Sequence, residues 1–83
     1  MRRFQRLSVP PNAHPLVRRL FKEMNYQQIG VADMAERVGI SRFTMNGWRT
    51  RHCPRIVEIE ACFNVLGLKL QVKPMYKDGE NDG

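Results

Sequence analysis

Four stretches of the chain repeat apolar residues at intervals of three and four, and a fifth repeats them at intervals of two. Leu16, Val17, Leu20, Phe21 and Met24 recur at helical spacing and mark a first helix. Asn12 or His14 suits its cap, and Pro15 suits its first turn, where a backbone N–H has no intrahelical partner to lose. NYQQIG then reads as a short polar connection, after which Val31, Met34, Ala35 and Val38 mark one face of a second helix of about two turns. Gly39 ends that helix, because glycine accepts the left-handed backbone of a helix C-terminus without a Cβ clash.

Ser41 is placed to cap a third helix, over residues 42–50, by accepting a backbone N–H near Thr44. Met45 and Trp48 turn the apolar side of that helix inward. A fourth helix follows the loop RTRHCPR, with Ile56, Ile59, Phe63 and Leu66 as its core face and Gly67 as its stop. The period then changes: Leu68, Leu70 and Val72 alternate with Lys69, Gln71 and Lys73, the pattern of a half-buried strand ended by Pro74. The expected fold class is therefore mainly all-α, a compact four-helix domain with a short C-terminal β-strand.

Both ends differ from this centre. Residues 1–11 hold Arg2, Arg3 and Arg6 and finish in Pro10-Pro11, which forbids helix and favours an extended arm, expected to be disordered in the free protein. Residues 12–67 form the domain, 68–74 the strand, and 75–83 an acidic polar tail.

Helix, three-residue turn, helix is a specific arrangement. Ala35 is small where the second and third helices cross, Gly39 makes the turn, and Val38, Ile40, Met45 and Trp48 fill the space beneath both. Arg42, Phe43, Asn46, Gly47 and Arg49 are left on the outer side.

Charge sharpens the picture. The 83 residues carry 14 Lys and Arg against 8 Asp and Glu, a net charge of +6, and three of the acids, Asp78, Glu80 and Asp82, sit in the tail. A small basic domain attracts polyanions, nucleic acid foremost. A chain of this size has room for one modest core and no deep substrate cavity. It holds no catalytic triad, paired-carboxylate site or glycine-rich phosphate loop, so an enzyme is not expected. His14, His52, Cys53 and Cys62 lack metal-ligand spacing, so neither metal nor cofactor is expected, and the two cysteines are expected as reduced thiols. With neither a membrane-length apolar run nor a signal peptide, the expected location is the cytoplasm.

Residues 14–67 resemble the Cro/repressor-type, or XRE-like, helix-turn-helix domains of phage and bacterial regulators. The resemblance rests on Ile29, Met34-Ala35, Val38-Gly39-Ile40-Ser41, Thr44-Met45 and Trp48, followed by EIEACFNVLG. It implies a bundle whose third helix enters the major groove of DNA, usually as a dimer on a near-palindromic site. The chain departs from many members in carrying Val31 where they place a phosphate-clamping Gln, and in lacking a fifth helix.

On this expectation Arg42 meets a guanine edge and Asn46 an adenine edge, since each forms the paired hydrogen bonds those bases offer, and Phe43 touches a thymine methyl. Gly47 lets the helix backbone approach DNA closely. Ser41, Thr44, Arg49, Arg51, His52 and Arg55 are candidates for phosphate contacts, which hold register without reading sequence. Arg2, Arg3 and Arg6 are candidates for a minor-groove arm.

The strand needs backbone partners. The expected partner is the same segment of a second subunit, with Leu68, Leu70 and Val72 covering both fourth helices; the alternative is RLSV within the chain. The functional expectation is a dimeric, sequence-specific transcriptional regulator acting as a repressor. Competing with it are a protein-binding adaptor, such as an antitoxin or antiactivator, and a DNA-bending recombination accessory protein.

Overall fold

The structure, a computed structural model, describes residues 4–75. Arg2 and Arg3 of the arm and the acids of the tail lie outside the described residues. Helices occupy Pro15–Gln27 (α1), Val31–Val38 (α2), Arg42–Gly47 (α3) and Ile56–Val65 (α4). α2 packs on α3 and α4, and α1 packs on α4. Between them lie Val17, Leu20, Phe21, Met24, Met34, Met45, Trp48, Ile59, Cys62, Phe63 and Leu66, all buried.

α1 begins as its cap chemistry predicts. His14 is the capping residue, its Nδ1 accepting the Leu16 N–H at 3.0 Å, with Pro15 opening the first turn. It runs further than expected, through Asn25, Tyr26 and Gln27, and stops at Gln28, which takes the left-handed conformation at φ 59° without being glycine. The Gln28 N–H donates to the Asn25 carbonyl and the Ile29 N–H to the Met24 carbonyl. α2 and α4 close with the same pair of bonds around Gly39 (φ 80°) and Gly67 (φ 81°). At each end a hydrophobic residue folds back over the last turn, so three helices terminate by the same Schellman geometry.

α3 is shorter than the expected 42–50. It holds six residues and gives way at Trp48 to tight turns in which the Trp48, Arg49 and Thr50 N–H groups reach only three residues back. Gly47 weakens the helix, and its carbonyl draws the N–H groups of Thr50, Arg51 and His52 together with the Thr50 hydroxyl. A helix of this length does not persist by itself. It is held by its underside, where Met45 and Trp48 are buried, each worth roughly 2–3 kcal/mol of apolar burial.

One further expectation is corrected, and one is met only in its helical part. Ile56, the first residue of α4, is 73% exposed and outside the core, and the buried face of the helix is made instead by Ile59, Cys62 and Phe63. Residues 68–74 form no ladder within the described chain: Leu68 and Leu70 fold onto the chain's own core, while Val72 is 98% exposed. The internal pairing with RLSV is absent for a specific reason. The Leu7 N–H and C=O, the groups such a ladder needs, are both taken by the side chain of Asn25.

That contact also orders the arm. Leu7 and Val9 pack against the core, so residues from Phe4 onward lie along the domain and are not the free extension their composition suggests.

Candidate nucleic-acid interface

α3 presents one polar flank. Ser41 caps it with its hydroxyl accepting the Phe43 N–H at 2.9 Å, one residue earlier than expected. This fixes the first turn, and the alternation of the helix then sends Met45 and Trp48 down and Arg42, Phe43, Thr44 and Asn46 out. Phe43 is 76% exposed, an unusual setting for an aromatic side chain with no apolar cover. The Arg42 guanidinium lies over its ring at 5.4 Å from the centroid, so cation and aromatic face form one surface.

Asn46 and Arg49 are joined. Arg49 Nη1 donates to Asn46 Oδ1 at 3.0 Å, and Nη2 donates to the Ser8 hydroxyl at 2.6 Å. Its Nε donates to the Ser8 carbonyl at 3.4 Å, and the guanidinium stands 5.7 Å from the centre of the buried Phe21 ring. Arg49 is thus committed within the chain, between arm and helix, where the sequence suggested a side chain available to phosphate.

Gly47 also has an internal use. A Cβ built there would come within 3.0 Å of the His52 ring, so the space that its missing side chain leaves is filled by His52 rather than left open outward. The loop after α3 nevertheless keeps Arg51, His52 and Cys53 exposed. Arg51 and His52, with Trp48 and Arg49, face the turn at Pro10–His14 across a cleft of about 380 Å³.

Ion pairs divide the remaining cations. Arg19 pairs with Glu23 at 3.5 Å, Arg37 with Asp33 at 3.1 Å and Arg55 with Glu58 at 3.3 Å. Glu58 also accepts the Arg55 backbone N–H at 2.9 Å, completing the first turn of α4. Arg55, read as a phosphate contact, therefore shares its charge with a carboxylate. Arg6, Arg42 and Arg51 make no ion pair among the described residues.

The structure brings Ser41, Arg42, Phe43, Thr44 and Asn46 together on α3, with Arg51 and His52 at its far end and Arg6 on the arm. It does not join Leu68, Leu70 and Val72 to them, since these lie beyond α4. Two residues were missed by sequence reasoning: Ser8, which fixes Arg49, and Asn25, which fixes Leu7. Neither carries a local signal, because each acts across a separation that no periodicity records.

Among the described residues no group of three or more His, Cys, Asp and Glu gathers to hold a metal, and no helix is long and apolar enough to cross a membrane. Cys62 is buried in the core on α4; burial first, and then the Glu58 charge, push its thiol up to about 11. Comparison with protein-family models, with curated proteins and with solved structures found no match to the chain.

Proposed function

We propose that the chain is a sequence-specific DNA-binding regulator of the Cro/repressor type, acting as a repressor in a bacterial cytoplasm. The observation that carries the reading is the exposure of Arg42, Phe43 and Asn46 together on a helix locked to the core by Met45 on its opposite side and by Trp48 at its C-terminal cap. Such a rod is rigid where it must be and polar where a duplex would meet it. An α-helix with its side chains is about 10–12 Å across, a diameter that the ~12 Å major groove admits.

In this reading Arg42 takes the O6 and N7 of a guanine, Asn46 the edge of an adenine, and Phe43 a thymine methyl. Ser41 and Thr44 at the helix start, with Arg51 and His52 after it, take phosphates, and Arg6 extends the basic surface along the arm. Arg49 is withdrawn from the phosphate set by its internal bonds, and Arg55 is reduced by Glu58. The overall charge of +6 supplies attraction that salt erodes.

A second copy completes the site. The backbone of residues 69–74 makes no backbone hydrogen bond among the described residues, and Val72 has no cover. Antiparallel pairing of this segment with its twin satisfies both and sets two α3 helices for a near-palindromic site.

One observation favours a different class. Phe43, Ile56 and Val57 are apolar and exposed, as a helix-turn-helix adaptor that binds a protein partner would require. Titration of duplex DNA against salt, with the parent and an Arg42→Ala, Asn46→Ala double variant, decides between them. The regulator reading predicts steep salt dependence and a loss of selectivity of at least about tenfold in the variant. Equal binding by both proteins, or a partner captured with no salt-sensitive DNA binding, refutes it.

A further inference from the structure

Asn46 is a side chain whose meaning to a base depends on which way its amide faces. Its oxygen accepts and its nitrogen donates, and a half-turn about the last bond exchanges them. In this chain that choice is made by Arg49. A guanidinium has donors only, so the atom of Asn46 at 3.0 Å from Arg49 Nη1 must be the oxygen. The carboxamide nitrogen is thereby turned away from Arg49.

Arg49 in turn has little freedom. Its Nη2 and Nε engage the hydroxyl and carbonyl of Ser8, 41 positions earlier, and its plane is set beside Phe21 in the core. Ser8 is itself fixed, because Leu7 is bracketed by Asn25 and Val9 packs on the core. A continuous chain of contacts thus runs from the arm, through Ser8 and Arg49, to the amide of Asn46.

We infer that Ser8 and Arg49 are positioning residues that set the base preference of Asn46, so that an arm segment which meets no base determines what the third helix reads. The inference rests on the DNA-reading function proposed above. With its nitrogen outward, Asn46 donates to a purine N7, and the second lone pair of its oxygen remains for the N6 amino group of adenine. Guanine, with an acceptor at the corresponding place, is rejected. Without Ser8 the guanidinium loosens, both amide orientations become accessible, and adenine loses its advantage over guanine.

The test compares the parent with Ser8→Ala, Ser8→Thr, Arg49→Lys and Ser8→Ala combined with Asn46→Ala, on a selected duplex and its adenine-to-guanine derivative at each position. Ser8→Ala and Arg49→Lys are expected to reduce the adenine preference about fivefold at one base pair per half-site, with binding to random duplex unchanged. Ser8→Thr, which keeps the hydroxyl, restores it, and in the combined variant Ser8→Ala adds nothing to Asn46→Ala. A uniform loss on all duplexes, an unaltered preference, or additivity in the combined variant overturns the inference while leaving the regulator reading intact. A parent that prefers no sequence overturns both.

Discussion

The carboxamide of Asn25 brackets the backbone of Leu7: its oxygen accepts the Leu7 N–H at 2.7 Å and its nitrogen donates to the Leu7 carbonyl at 2.8 Å. One side chain on α1 thus does for the arm what a neighbouring strand would do. The pair is partly buried, so breaking it leaves polar groups that water only partly satisfies. Asn25→Ala is expected to lower unfolding stability by about 1–3 kcal/mol and to expose the arm to protease before the helices melt. Chemical denaturation together with timed proteolysis checks this; an arm that stays protected contradicts it.

Backbone conformation decides the next set of substitutions. Gln28 holds φ 59° without being glycine, which costs roughly 1 kcal/mol, so Gln28→Gly is expected to stabilise. Gly39→Ala is expected to destabilise by about 1 kcal/mol or more, although nothing lies within 4 Å of the added methyl, because φ 80° alone strains it. Gly47→Ala has the opposite sign from Gly39→Ala. It gains up to about 1 kcal/mol of helix propensity, and the exposed His52 ring moves aside. Thermal unfolding of the three variants gives the signs, and a stabilising Gly39→Ala contradicts the left-handed assignment.

These positions show what was readable in the residues. Gly39, Ser41, Pro15 and Gly67 act through the backbone of their own turn, so the boundaries of α2, the start of α3 and the end of α4 follow from local chemistry. The end of α1 did not, since Gln28 does a glycine's work with no compositional mark. Ile56 fits the helical spacing yet lies outside the core, because periodicity gives relative angle and says nothing of where neighbouring helices stop. The polar flank of α3 was legible as a flank. The bonds from Ser8 to Arg49 and on to Asn46 were not, being long-range contacts between residues that each look like ordinary surface.

Val72, 98% exposed, separates association from folding. Val72→Lys removes no contact within the chain, so unfolding of the isolated subunit is expected to be unchanged within about 0.5 kcal/mol. If the segment pairs with its twin, the same change turns a dimer into a monomer in sedimentation equilibrium. An unaltered mass distribution removes residues 68–74 from the dimer.

Cys62 makes stability depend on alkaline pH. Its folded pKa of about 11 lies above the ordinary 9.0, so the unfolded chain releases its proton first as pH rises. The contribution is whole below pH 9 and is lost between pH 9 and 11, by at most roughly 3 kcal/mol if no other group compensates. At neutral pH, thiol reagents are expected to modify the exposed Cys53 at once and Cys62 only as the chain opens. Equal rates at both thiols contradict the buried assignment.

The central claim is that the outer flank of α3 reads bases, and recovery of bound sequences from random duplex DNA, with the oligomeric state measured alongside, tests it most directly. The predicted result is a common inverted repeat with half-sites about one helical turn, roughly 10 base pairs, apart, recovered by a dimer. Recovery of sequences sharing no motif, or no retention of DNA at low salt, contradicts it.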